Sequence, residues 1–287
     1  MSGHLFANQP SGRDALEKAA AVIIPVPYDG TSTWIKGADK GPTALLEAST
    51  HIELYDIETG YEVSGKGIFT DRPVTEDSSP AMMVSAVQKR VRNHLAKGKF
   101  PVVIGGEHSV SIGAAWAHAE SFKNLSVLQL DAHLDLQDEY HGSEYNHACV
   151  MNKVGKVCPI VQVGIRSIAS AEIANMDEER VFLAERICAM KSDAAWIRRV
   201  LPLLSRNVYI TVDLDVFDPS LVPSTGTPEP GGLGWYQVLQ LLRTVFERRN
   251  VVGCDVVELC PSNHNKAPDF LAAKLVYKLL SYKFMGR

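Results

Sequence analysis

The sequence is poor in cysteine and lacks any long apolar run. Its five cysteines, Cys149, Cys158, Cys188, Cys254 and Cys260, are odd in number, scattered, and include no CxxC pair. That argues against a disulfide framework and for reduced thiols in a cytoplasmic protein. No stretch approaches the roughly 18 apolar residues of a membrane span. The N-terminal segment MSGHLFANQPSGRDALEKAAAV has no basic part followed by an apolar core, so no secretory signal is expected. Basic residues are not in excess either. Lys and Arg number 29 against 33 Asp and Glu, a net charge of −4, with no basic stripe to suggest nucleic acid and no charge run to suggest a tail. A mildly acidic chain leans toward cationic small molecules over anionic ones. Neither GxGxxG nor GxxxxGK[ST] follows an apolar run, which disfavours a nucleotide-binding α/β protein.

What is present is alternation. Over 287 residues, short apolar runs at Ala21–Val26, Phe100–Ile104, Leu125–Leu130, Pro159–Val163, Val208–Val212 and Val251–Val257 read as strands. Helical patterns occupy Ala81–Lys97, Ala194–Leu204, Trp235–Arg248 and Pro268–Tyr282. Ser79 is placed to cap the first of these, with Pro80 at its first position and Gly98 beyond its end. No repeat, low-complexity tract or composition break marks a linker. Residues 1–287 are therefore expected to form a single α/β domain, a mostly parallel sheet with helices on both faces. In such a sheet the ligand crevice lies beyond the carboxyl ends of the strands.

The polar motifs fall at those ends. Phe100–Ile104 is followed by Gly105-Gly106-Glu107-His108-Ser109, and Leu125–Leu130 by Asp131-Ala132-His133-Leu134-Asp135. Val208–Val212 leads into Asp213-Leu214-Asp215, and Val251–Val257 into Glu258. In extended chain, residues i, i+2 and i+4 project to one side, so Asp131, His133 and Asp135 would converge, as would Asp213 and Asp215. A lone histidine after a strand is more often a loop or capping residue, and an isolated DxD is weak. Three such motifs at three strand ends are another matter. Converging carboxylates repel unless a cation neutralises them. Four aspartates and two histidines without a thiolate suit Mn²⁺, with Zn²⁺ and Ni²⁺ as rivals. Two metals about 3.5–4 Å apart would activate one water as nucleophile.

These motifs resemble the three signatures of the ureohydrolases, the arginase/agmatinase family. The resemblance extends to Gly37-Ala38 with Gly41-Pro42, Val163-Gly164-Ile165-Arg166, Gly226–Gly232 and Val257–Pro261, and covers the chain from about Ile24 to the last helical pattern. It implies an arginase-like three-layer sandwich and two Mn²⁺ per chain. His108, Asp131, Asp135 and Asp213 would hold one ion; Asp131, His133, Asp213 and Asp215 would hold the other. Asp135 would also orient the bridging hydroxide, Glu258 would pair with the substrate guanidinium, and His147 would be the proton shuttle. Relatives often place Gly after that histidine where this chain has Ala148, and His141 is the rival. The remaining histidines, His4, His51, His94, His118 and His264, carry no motif and read as surface or packing residues. Ser109 and Asn146 are candidates for supporting roles.

Substrate choice turns on the segment Gln137–Asn146, expected to rim the pocket. It holds Asp138, Glu139 and Glu144 and neither Lys nor Arg. An acidic rim disfavours arginine, whose carboxylate would meet it, and suits the second ammonium of agmatine. The expected reaction is hydrolysis of agmatine to putrescine and urea, with N1-aminopropylagmatine, guanidinobutyrate and, less so, arginine as alternatives. A zinc deacetylase on a related fold or a non-catalytic metal-binding relative are the readings from other classes. The resemblance further implies a homo-oligomer, trimer or hexamer, while the charge pattern and the lack of a long apolar run point to no nucleic-acid or membrane partner.

Overall fold

The computed structural model describes residues 4–190 and 192–285. Its strands are β1 (Ala21–Val26), β2 (Ile68–Thr70), β3 (Phe100–Gly105), β4 (Leu125–Leu130), β5 (Ile160–Ile165), β6 (Val181–Leu183), β7 (Asn207–Asp213) and β8 (Asn250–Val257). Its helices are α1 (Arg13–Lys18), α2 (Gly41–Ser49), α3 (Pro80–Leu95), α4 (Val110–Ser121), α5 (Val150–Gly155), α6 (Ala184–Cys188), α7 (Asp193–Val200), α8 (Trp235–Arg248) and α9 (Ala267–Phe284). All eight strands are parallel, in the order β2-β1-β3-β8-β7-β4-β5-β6. The expected α/β sandwich is therefore present, with a wholly parallel sheet among the described residues.

Alternation of side chains across the strands builds two cores. Ala21 and Ile23 of β1 join Leu128 and Leu130 of β4 in a cluster with α2, α7, α8 and α9. Val22, Ile24 and Val26 join Val127 and a cluster with α3, α4 and α5. Both sheet faces are covered, so the strands read as continuous apolar runs. In α3, Met83, Val84, Val87 and Val91 fall on one face and are buried. Each contributes roughly 1.5–3 kcal/mol by leaving water. Ser79 caps this helix, its hydroxyl accepting from Met82 N–H at 3.2 Å. Pro25 inside β1 causes no loss of pairing. Ala21 N–H donates toward the β2 side, so the same-facing Pro25 nitrogen lies past Ile23, where pairing with β2 ends.

The order of the strands locates the crevice. The chain passes from β3 to β4 across a gap that β7 and β8 later fill. The ends of β3, β8, β7 and β4 are thus neighbours at a topological switch point, where open parallel sheets bind ligands. No helix among the described residues is long and apolar enough to cross a membrane.

Candidate metal centre

Each of those four strands ends in a polar turn. At β3, a Cβ on Gly106 would come within 1.9 Å of the Tyr28 carbonyl oxygen. Only glycine lets the turn after β3 pass so close to the segment after β1. The chain then buries Glu107 and His108 completely before α4 begins. Asp213 is the last residue of β7, and Asp215 follows on a single 3₁₀ turn.

The Asp131–Asp135 motif does converge, but not as an extended strand. β4 stops at Leu130, and Asp135 adopts a left-handed φ of 54°. A turn, rather than the two-residue repeat of a strand, gathers its side chains.

His108 Nδ1 lies 2.9 Å from Asp135 Oδ2, 3.1 Å from Asp131 Oδ2 and 3.4 Å from Asp213 Oδ2. His133 Nδ1 lies 2.9 Å from Asp215 Oδ2 and 3.5 Å from Asp131 Oδ1. The donors form two triads sharing Asp131: His108, Asp131 and Asp213, and Asp131, His133 and Asp215, each with its ligand atoms within 4.8 Å of one another.

The hydrogen bonding around His108 tests whether a cation fits. Its Nε2 lies 2.9 Å from the Thr211 hydroxyl, whose own proton goes to Asp255 Oδ1 at 2.6 Å. Thr211 must then accept from Nε2–H, so a neutral His108 ring turns its Nδ1 lone pair toward three buried carboxylates. Nδ1 indeed makes no hydrogen bond. A lone pair among carboxylates is repulsive unless a positive charge lies between them. The oxygen-rich, sulfur-free set suits a hard or intermediate divalent ion.

The electrostatics carry the same demand for positive charge. Burial and the charge of Asp131 raise Asp135 to about 7. Asp213 is pushed well above the carboxylate range by burial, then by Asp215, Asp131 and Glu258. Burial also opposes ionisation of Asp131, but His108 and His133 overcome it and hold the pKa low. His133 rises to about 12, against burial, through Asp215 and Asp131. Protons fill the role that divalent ions would take.

Glu258 completes the floor. Its φ is +64°, a left-handed conformation for a non-glycine residue of the kind that clusters at functional sites. Its N–H donates to Gly106 O at 2.8 Å and its Oε1 accepts from His108 N–H at 2.7 Å. Burial and the charge of Glu107 raise its pKa well above the ordinary value. A cation beside it would be stabilised accordingly.

A cavity of about 180 Å³ opens over these groups, lined by His108, His133, Asp135, His147, Asp213, Asp215 and Glu258, with Thr33, Gln137, Tyr140, Glu172 and Thr227 around them. A larger groove of about 960 Å³ runs past Asp56, Tyr236 and Arg243, but the convergent triads lie elsewhere. His147 lines the cavity, whereas His141 is exposed with its ring against Tyr140. Burial lowers the His147 pKa to about 4, aided by the charges of His108 and His133.

The acidic rim requires correction. Asp138 and Glu144 are exposed and line no part of this cavity. Glu144 is ion-paired with Lys153, and Asp138 accepts from Asn152 Nδ2 at 2.9 Å. Glu139 is exposed too. Both acids that were to meet substrate are instead partnered by side chains of α5. The acid that does line the cavity from outside the metal motifs, besides Glu258, is Glu172. Its carboxylate accepts from Leu136 N–H at 2.9 Å and Ala169 N–H at 2.8 Å.

Several supporting residues lie outside the three metal motifs. Gln129 donates to Asp131 Oδ2 at 2.7 Å and is held by Gln162 at 2.6 Å. The Arg166 guanidinium ties Asp215 O at 2.6 Å to Glu229 O at 2.8 Å, stapling the last metal turn to the glycine-rich turn. Tyr209 donates to Asp255 Oδ2 at 2.5 Å. The available signal was polarity inside an apolar strand: Gln129, Thr211 and Asp255 interrupt runs that are otherwise buried and apolar.

Comparison with known proteins agrees with this geometry. A curated N(1)-aminopropylagmatine ureohydrolase from Synechocystis sp. is 38% identical over 275 residues, covering 92% of this chain and 89% of the relative. An agmatinase from Pyrococcus horikoshii is 30% identical over 270 residues, covering 92% of each chain. The crystal structure of agmatine ureohydrolase of Thermoplasma volcanium superposes with a TM-score of 0.88 at 29% identity, covering 99% of this chain and 95% of that one. The sequence model of the arginase family matches residues 19–281, which contain every donor of both triads. With that span, that fold and those triads, the chain belongs to the arginase family.

Proposed function

We propose that this hydrolase cleaves the guanidinium group of an agmatine-type amine, releasing urea, with two Mn²⁺ ions held by His108, Asp131, Asp135 and Asp213 and by Asp131, His133, Asp213 and Asp215. The observation that carries the reading is the cavity lining. It holds every donor of the two triads except Asp131, together with the buried carboxylate of Glu258, and neither Lys nor Arg. Such a lining attracts a cation and offers no partner to the carboxylate of arginine or guanidinobutyrate. When bound, the two ions supply the Lewis acidity that makes water a nucleophile near neutral pH.

The chain's own groups supply the rest. Guanidinium carbon is a poor electrophile, so the planar cation must be held in one pose. Glu258 Oε1 is fixed by His108 N–H, which orients the carboxylate to accept two N–H bonds from a guanidinium edge. Asp135 orients the attacking water through its carboxylate. His147, neutral near pH 7, takes a proton from that water and delivers it to the departing amine nitrogen. The products balance as urea and a protonated amine.

Between substrates, the 38% identical relatives from Synechocystis sp. and Thermus thermophilus favour N1-aminopropylagmatine. Agmatine is the second reading, supported by the agmatinase relatives at 30% and 29% identity. Protein loaded with Mn²⁺ and assayed for urea release should turn over one or both far faster than arginine or guanidinobutyrate. Efficient turnover of arginine would overturn the reading of the cavity, and no urea from any of the four would overturn the activity.

A further inference from the structure

Glu107 stands beside a metal ligand but takes no part in either triad. It is fully buried, and three donors meet its carboxylate. Ser109 N–H reaches Oε2 at 2.7 Å, and the hydroxyls of Ser109 and Thr31 reach Oε1 at 2.8 and 2.9 Å. Burial pushes this carboxyl up, opposed by those three hydrogen bonds. Thr31 lies 76 positions earlier in the chain, in the segment after β1. On its other side it meets His147: the backbone N–H donates to its oxygen at 3.0 Å, and ring Nδ1 lies 3.3 Å away.

We propose that Thr31 and Glu107 are positioning residues that fix His147 as its Nδ1–H tautomer, leaving the Nε2 lone pair for the cavity. A threonine hydroxyl has one proton and two lone pairs. The proton is committed to Glu107, so toward His147 the oxygen can only accept. It accepts once from the backbone and once from Nδ1–H. A neutral imidazole has a single N–H, so Nε2 is bare, on the ring edge away from Thr31 in a side chain that lines the cavity. That tautomer can receive a proton from water and pass it on. The opposite one would present N–H to the cavity and have nothing to receive with. The inference rests on His147 as the proton carrier, but the tautomer itself can be read without turnover.

The test combines spectra and kinetics. Protein labelled with [¹⁵N]histidine and loaded with diamagnetic Zn²⁺ should show His147, assigned through His147→Asn, with a protonated Nδ1 and an unprotonated Nε2. Thr31→Val keeps the volume and removes the acceptor; it should shift the ring toward Nε2–H, and Thr31→Ser should restore the original tautomer. Glu107→Gln can donate to Thr31, freeing the threonine proton for Nδ1 and reversing the tautomer. With Mn²⁺, Thr31→Val and Glu107→Gln should lower kcat by about tenfold or more, with KM and metal content kept and Thr31→Ser active. An Nε2–H tautomer in the unsubstituted protein, as a protonated Glu107 would impose, overturns the proposal. So does a Thr31→Val ring and kcat that stay unchanged. Unchanged kcat in His147→Asn overturns the shuttle reading alone and leaves the spectra to decide the tautomer.

Discussion

His108 Nε2 sits 2.9 Å from the hydroxyl of Thr211, a residue inside β7 that belongs to neither triad. Because Thr211 hands its proton to Asp255, it points the lone pair of His108 Nδ1 at the carboxylates. Thr211→Val should therefore weaken metal binding by about 10- to 100-fold, the usual cost of losing such a partner, while Thr211→Ser retains affinity. Calorimetric titration of metal-free protein with Mn²⁺ measures this directly; equal affinities would remove Thr211 from the site.

His133 and Glu258 should separate metal loss from substrate loss. His133→Ala should lose bound metal and turnover together, seen as a fall in metal content by elemental analysis. Glu258→Gln keeps an acceptor for His108 N–H and should keep both metals. It loses the charge that meets the guanidinium, so kcat/KM should fall about 10- to 100-fold. Unchanged turnover would take Glu258 out of the mechanism.

Metal-free and metal-loaded protein should differ in how their stability responds to pH. Folding raises Asp135 from 3.8 to about 7, so the folded metal-free chain binds its proton more tightly than the unfolded one. By linkage that stability is complete below the unfolded value and is lost as pH rises from about 4 through about 7. Metal binding requires the proton to leave, so the loaded protein should gain stability over the same window. Melting curves at several pH values, with and without Mn²⁺, should diverge; parallel curves would contradict the coupling.

Far from the cavity, Lys278 is buried between Asp56 and Glu58. Burial opposes ionisation of both acids, but Lys278 prevails and lowers their pKa values. Lys278→Met removes one partner and leaves a buried negative charge, which typically costs about 3–5 kcal/mol. Denaturant titration should show that loss with metal content unchanged once the protein is folded.

Much of this arrangement was legible before any coordinates. β1, β4 and α8 coincide with the runs read from pattern, because the two strands are continuous buried apolar runs and α8 repeats its apolar residues at helical spacing. α4 escaped notice since Val110–Ala117 are nearly all buried, which erases helical periodicity. β2 and β6, of three residues each, are too short to show alternation. The loop acids misled for another reason. Charge says that a residue seeks a partner, not which, and Glu144 found Lys153 rather than substrate.

The strand order also bears on how the site comes into being on the ribosome. β2, β1 and β3 form one part of the sheet, β7, β4, β5 and β6 the other, and β8 is the strand hydrogen-bonded to both. His108 follows the first part, while the aspartates and His133 follow the second. Until β8 has emerged and slotted into the middle, no backbone ladder holds the imidazole of His108 against its carboxylates. A chain stalled before β8 would hold the Asp131, His133 and Asp215 triad on the paired β4 and β7, but could not close the triad that includes His108. Completion of the His108 triad is thereby tied to β8, a strand that follows every ligand in the chain.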